Sequence, residues 1–124
     1  MPSRVYSFNA SELQAAKKLL SYDPYLDNSL KPEDLDRVKK DPEANIIFAR
    51  KDYTIKDGIT LGLDREKYYV CILADDEFLE KGEKKLKEMI KGLERVDEAT
   101  EKKVIQAIEE ERFRADSGVG MIFG

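Results

Sequence analysis

From Tyr68 to Ala74 every position is apolar, and from Phe78 to Leu93 an apolar residue returns about every third or fourth position. The first pattern predicts a strand covered on both faces. Tyr68, Val70, Ile72 and Ala74 point one way, and Tyr69, Cys71 and Leu73 the other. The second predicts an amphipathic helix. Its stripe holds Phe78, Leu79, Gly82, Leu86, Met89, Ile90 and Leu93, and lysines and glutamates fill the opposite side. Asp75 and Asp76 separate the two. A carboxylate there accepts hydrogen bonds from the free N–H groups of the first helical turn and suits the positive end of the helix dipole. Gly82 on the apolar stripe predicts the close approach of another backbone. Gly92 followed by Leu93 predicts the helix stop.

Before this unit, Arg4–Phe8 predicts a short strand. Asn9 with Glu12 forms a capping-box pattern, and Phe8 with Leu13 a hydrophobic staple; Ser11 with Gln14 is the competing cap. That helix runs through Leu13, Ala16, Leu19 and Leu20 to near Tyr22, because Asp23–Pro24 disfavours continuation. Residues 23–30 read as a loop, and Pro32 opens a short helix, Pro32–Lys40. Asn45–Arg50 predicts the start of a β region that continues at Tyr53–Ile55. Asp57–Gly58 predicts a hairpin, and the alternation of Ile59, Leu61 and Leu63 a strand beyond it. Further on, Glu94–Val96 is a small strand candidate. Asp97 caps a last helix over Glu98–Ala115, with a narrow stripe of Val104, Ile105 and Ile108. Phe113 falls off that stripe.

These elements predict one α+β domain over residues 1–124. Its expected form is an antiparallel sheet of three to four strands with about four helices. A ferredoxin-like arrangement, with Arg4–Phe8 paired inside the sheet, is the alternative topology.

Composition narrows the function classes. The charged fraction is 39%, histidine and tryptophan are absent, and one cysteine is present. Abundant Lys and Glu with few thermolabile residues is the balance of proteins from hot habitats, so a thermophilic archaeal or bacterial source is expected. A net charge of −4 lacks the basic footprint of a general nucleic-acid binder. No run approaches 18 apolar residues and the N-terminus has no apolar signal region. With a single thiol, no internal disulfide forms, and the cytoplasm is the expected compartment.

Candidate chemistry is sparse. Asp75 and Asp76 stand at the carboxyl end of the expected central strand, where open α/β sheets place ligands, and would suit a small ligand, Mg²⁺ or acid–base work. Helix capping accounts for them without any ligand. Near the other end, Arg112 and Phe113, with Arg114, form a candidate partner anchor, because arginine and aromatic residues concentrate in interface cores; the plainer reading is a solvated helix face. After Gly118 and Gly120, the apolar Met121, Ile122 and Phe123 would add to a partner as an edge strand, fill a partner groove, or lie back on their own domain. Gly118-Val119-Gly120 follows a helix instead of opening one, unlike a phosphate loop. Cys71 is mid-strand with no histidine to activate it, which points to a buried structural thiol. Asp23, Asp27, Asp34 and Asp36 lack calcium-loop spacing. Tyr22, Tyr25 and Tyr53 read as core-edge packing in preference to an aromatic ligand surface. No catalytic, cofactor-binding or metal set emerges.

The alternately acidic and basic C-terminal half and its ending, GVGMIFG over residues 118–124, resemble a family of small archaeal proteins from methanogens and their relatives. No activity is assigned to that family, so the resemblance implies no functional residue. The first functional expectation is a non-enzymatic interaction module, either a homo-oligomer or a subunit of a cytoplasmic complex, that uses the apolar C-terminal tail Met121-Ile122-Phe123, with Phe113 as a second motivating feature. A small-ligand regulatory domain using Asp75 and Asp76 comes second. An enzyme working through carboxylates and tyrosines comes third, and no cofactor is expected.

Overall fold

The computed structural model describes residues 2–42 and 46–123, the side chains of residues 115–123 excepted. In chain order the elements are β1 (Ser3–Asn9), α1 (Leu13–Ser21), α2 (Pro32–Lys40), β2 (Asp52–Asp57), α3 (Gly58–Leu61), β3 (Lys67–Leu73), α4 (Asp76–Met89), β4 (Glu94–Arg95) and α5 (Glu98–Phe123). Three 3₁₀ turns, Ala10–Glu12, Pro24–Leu26 and Phe48–Arg50, join them. The strands form one antiparallel sheet in the order β2-β3-β1-β4. β1 and β2 therefore run parallel across β3, and β3 and β4 run parallel across β1. These are two interlocked split β-α-β units with α1 and α4 among their crossovers, the ferredoxin-like arrangement.

The sheet is buried from both sides, as the unbroken apolar run of β3 requires. On one face Tyr6, Phe8, Val70 and Ile72 pack with Ala16 and Leu20 of α1 and with Leu79 and Leu86 of α4. On the other, Val5, Tyr69 and Cys71 pack with Leu61 of α3 and with Val104 and Ile108 of α5. Register places Phe8 opposite Tyr68, and their rings stack at 6.2 Å. Burying each large side chain of these sets stabilises the fold by roughly 1.5–3 kcal/mol. On the Tyr6–Phe8 face, Arg50 pairs with Asp23 at 3.0 Å and lies over the Tyr25 ring, tying the 24–26 turn to the 48–50 turn.

Several expectations are corrected. Residues 48–50 form a 3₁₀ turn instead of a strand, and β2 begins only at Asp52; Asn45 lies outside the described residues. The reason is Phe48, which is drawn into the α4-side core and packs edge-on to Phe78 at 5.5 Å. Asp57–Gly58 makes no hairpin. Asp57 accepts hydrogen bonds from the Thr60 backbone N–H (2.7 Å) and hydroxyl (2.9 Å), which starts the one-turn helix α3. A Cβ at Gly58 would stand 1.7 Å from the Asp64 carbonyl oxygen, so only glycine fits under that crossing chain. The strand expected at 59–63 does not form: residues 58–61 are helical, so Leu61 enters the core while Ile59, two positions earlier and expected on the same face, is exposed.

Asn9 makes no side-chain cap. A 3₁₀ turn follows it, and α1 begins at Leu13. At Gly82 the close neighbour is the Phe48 ring, not a backbone. Gly92 adopts a φ of +78° in the turn after α4, but the helix already ends at Met89. α5 continues past Ala115 to Phe123.

Candidate functional site

Asp75 and Asp76 sit where the sequence places them, at the junction of β3 and α4. The Asp75 carboxylate accepts a hydrogen bond from the Phe78 N–H at 2.7 Å. That bond satisfies one of the free donors of the α4 N-terminus, which is a structural role. Asp76 is exposed in the first turn. Neither residue lines the clefts described below. Among the described residues no group of three or more cysteine or acidic side chains is placed to hold a metal ion.

The second candidate set lies on α5. The N-terminal half of this helix is anchored by Asp97, whose carboxylate accepts from the Thr100 N–H at 2.7 Å, and by the burial of Val104 and Ile108. After Ile108 all side chains from Glu109 to Arg114 are exposed. Two of them turn back to the sheet edge: Glu111 pairs with Lys56, and the Arg112 guanidinium lies 3.4 Å from the Asp52 carboxylate. Phe113 does not turn back. It is 71% exposed, so the ring contributes almost nothing to its own core. Glu109, Glu110, Phe113 and Arg114 share one shallow, open patch of the helix surface. Arg112 and Phe113 are thus neighbours in sequence with opposite roles, one fastening the helix and one facing solvent. Met121, Ile122 and Phe123 lie on the helical backbone of α5, and their side chains are outside the described residues.

A third place was not legible in the sequence. Lys85, on α4, donates a hydrogen bond to the Ile46 carbonyl at 3.1 Å. Burial lowers the pKa of its ammonium, and the charge of Asp41 opposes that effect. Lys85 and Ile46 border two hollows. One, of about 250 Å³, is mostly apolar, with Leu19, Tyr22, Leu30 and Val38 in its wall. The other, of about 720 Å³, adds Lys81, Lys84, Glu88 and Met89. Lys85 is one of several lysines on a polar helix face, and nothing in that spacing marks it. The packing of α1 and α2 beside α4 makes it different from its neighbours.

Two buried groups have structural roles. Cys71 is buried mid-strand, and burial, then the charge of Glu101, pushes its thiol up to about 11, the reverse of an activated nucleophile. The Tyr6 hydroxyl, fully buried beside Arg4 and Glu83, is likewise raised, first by burial and then by the Glu83 carboxylate. Arg4 stands 3.5 Å from Glu83, which supplies a counter-charge at this half-buried place.

No protein-family model, curated protein or solved structure matches this chain. No helix among the described residues is long and apolar enough to cross a membrane.

Proposed function

We propose that this chain is a non-enzymatic protein-interaction module whose partner-facing surface is the outer side of α5 around Phe113. The observation that carries the reading is the 71% exposure of Phe113 on a helix whose neighbouring residues 111 and 112 are fastened to β2. An aromatic ring held on a helix and ringed by charges has the form of an interface anchor with a polar rim. The Lys/Glu-rich composition supports an archaeal thermophile as source, and the single cysteine supports the cytoplasm. A melting midpoint in the ordinary mesophile range of about 45–65 °C would speak against that source.

The test is the mass of the native assembly. Tagged wild-type chain and Phe113→Asp, expressed in the source cells, are compared by native mass spectrometry. The expected result is an assembly heavier than the 14.3 kDa chain for wild type and a bare chain for the variant. Identical masses for the two would overturn the reading.

A second reading is a small-ligand domain, and Lys85 favours it. An ammonium at the edge of an apolar hollow suits the carboxylate of a small aliphatic or aromatic acid. This location is better supported than the strand end, where Asp75 is engaged as a cap. Thermal shift with a panel of such acids tests it. A rise in midpoint that Lys85→Met abolishes is expected, and no rise with any acid counts against it.

A further inference from the structure

The outer face of α5 carries its acids and bases in a fixed order along the helix. Glu109, Glu110 and Glu111 precede Arg112 and Arg114, with Phe113 between the arginines. Because Glu111 and Arg112 turn toward Lys56 and Asp52, the outward set is Glu109, Glu110, Phe113 and Arg114. The acids lie one helical turn, about 6 Å, before the ring and the base. Glu110 and Arg114 are spaced for an i,i+4 pair. Glu110 instead accepts from the Gln106 amide at 3.3 Å, and no carboxylate among the described residues lies within ion-pair range of Arg114.

We infer that two copies of this chain pair through α5 as an antiparallel two-fold dimer, with the dyad near residue 112. This inference rests on the reading of the α5 face as the partner surface. An antiparallel pair centred there sets Glu110 of each chain opposite the partner's Arg114, twice by symmetry. A parallel pair would set glutamate on glutamate and arginine on arginine. Helices pack with axes about 8–10 Å apart, close enough for each Phe113 ring to lie against the other chain's helix beside Glu109 and Glu110. A two-fold contact uses one patch on both copies and closes at two, so the dimer buries the exposed ring without leaving a second face open.

The experiment uses recombinant full-length chain with no other protein present, measured by sedimentation equilibrium. Wild type sediments as a dimer, and Phe113→Ala raises the dissociation constant by about 30-fold, as expected for loss of an aromatic anchor. Glu110→Arg and Arg114→Glu each sediment as monomers, because each self-pair opposes like charges. Mixed one to one, they form a heterodimer, since arginine at 110 of one chain then meets glutamate at 114 of the other and the remaining pair also matches. Far-ultraviolet circular dichroism matching wild type shows that each variant is folded. A monomeric wild type, or single variants whose mixture stays monomeric, overturns the dimer. A monomeric recombinant chain alongside a native assembly released by Phe113→Asp would sink this inference and leave the interaction reading standing. A native assembly unaffected by that variant would sink the reading itself.

Discussion

The ring of Phe48 lies against Gly82: a Cβ added to that glycine would stand 3.0 Å from Phe48 Cε1 and 3.3 Å from Cζ. This contact explains two local irregularities together. It permits a glycine mid-helix despite a propensity cost of about 1 kcal/mol against alanine. It also pulls residues 48–50 into a turn, because the ring is reached only if the chain leaves the sheet before Asp52.

Gly82→Ala should therefore destabilise the protein. The propensity gain of about 1 kcal/mol is outweighed by overpacking against a buried ring, which costs roughly 1–3 kcal/mol. In a Phe48→Leu background the same substitution should become neutral or stabilising. Denaturant unfolding of the four proteins of this double-mutant cycle reads the coupling directly. Additive effects would mean that the contact does not govern Gly82.

Asp75→Ala should cost about 1 kcal/mol by loss of the α4 cap, and Asp76→Ala only a few tenths, since Asp76 supports the helix through its dipole alone. Chemical denaturation checks the ratio. Equal losses would mean that Asp76 has a structural partner beyond the dipole.

Acid should erode stability through the caps. Backbone and then side-chain bonds from Thr60 hold the Asp57 carboxyl below its usual value, and hydrogen bonds from the Thr100 side chain and backbone do the same for Asp97. Because the folded pKa values are depressed, this contribution is fully present above the unfolded value near 4. It is lost as pH falls through the folded values. Asp57→Asn and Asp97→Asn should each flatten the stability profile below pH 4 and leave its neutral slope unchanged.

Alkali should act through Cys71. Burial raises its thiol to about 11, so the folded state holds the proton more tightly than the unfolded chain. The contribution is complete below pH 9, the ordinary thiol value, and falls as pH rises from 9 toward 11. Urea titrations of Cys71→Ala should show a lower plateau, from the lost volume, and a shallower decline over pH 9–10. An unchanged slope would remove Cys71 from the account.

The two ion pairs that fasten α5 to β2 should matter less than its apolar anchors. Arg112→Ala breaks an exposed pair and should cost under about 1 kcal/mol, whereas Ile108→Ala should cost about 2–5 kcal/mol. Hydrogen exchange at the α5 amides checks where the anchoring lies. Ile108→Ala should weaken protection over Glu101–Ile108 far more than Arg112→Ala does.

Local spacing was sufficient where one period or one cap settled the matter. The seven apolar residues of 68–74 demanded cover on both faces, which α1 and α4 supply on one side and α3 and α5 on the other. Asp75 and Asp97 marked helix starts because a carboxylate capping free N–H groups acts within three residues. Phe113 was recognisable as an outlier by the same periodicity that placed Val104 and Ile108 inside. Distant contacts decided the rest. Phe48 left the sheet for a ring-sized gap 34 positions along the chain at Gly82, and position 58 accepts only glycine because the Asp64 carbonyl crosses above it. Lys85 became distinct from the other α4 lysines only when α1, α2 and Ile46 closed around it. Such effects depend on which surfaces meet, and pattern within a few turns of the chain carries no record of a partner that arrives from elsewhere.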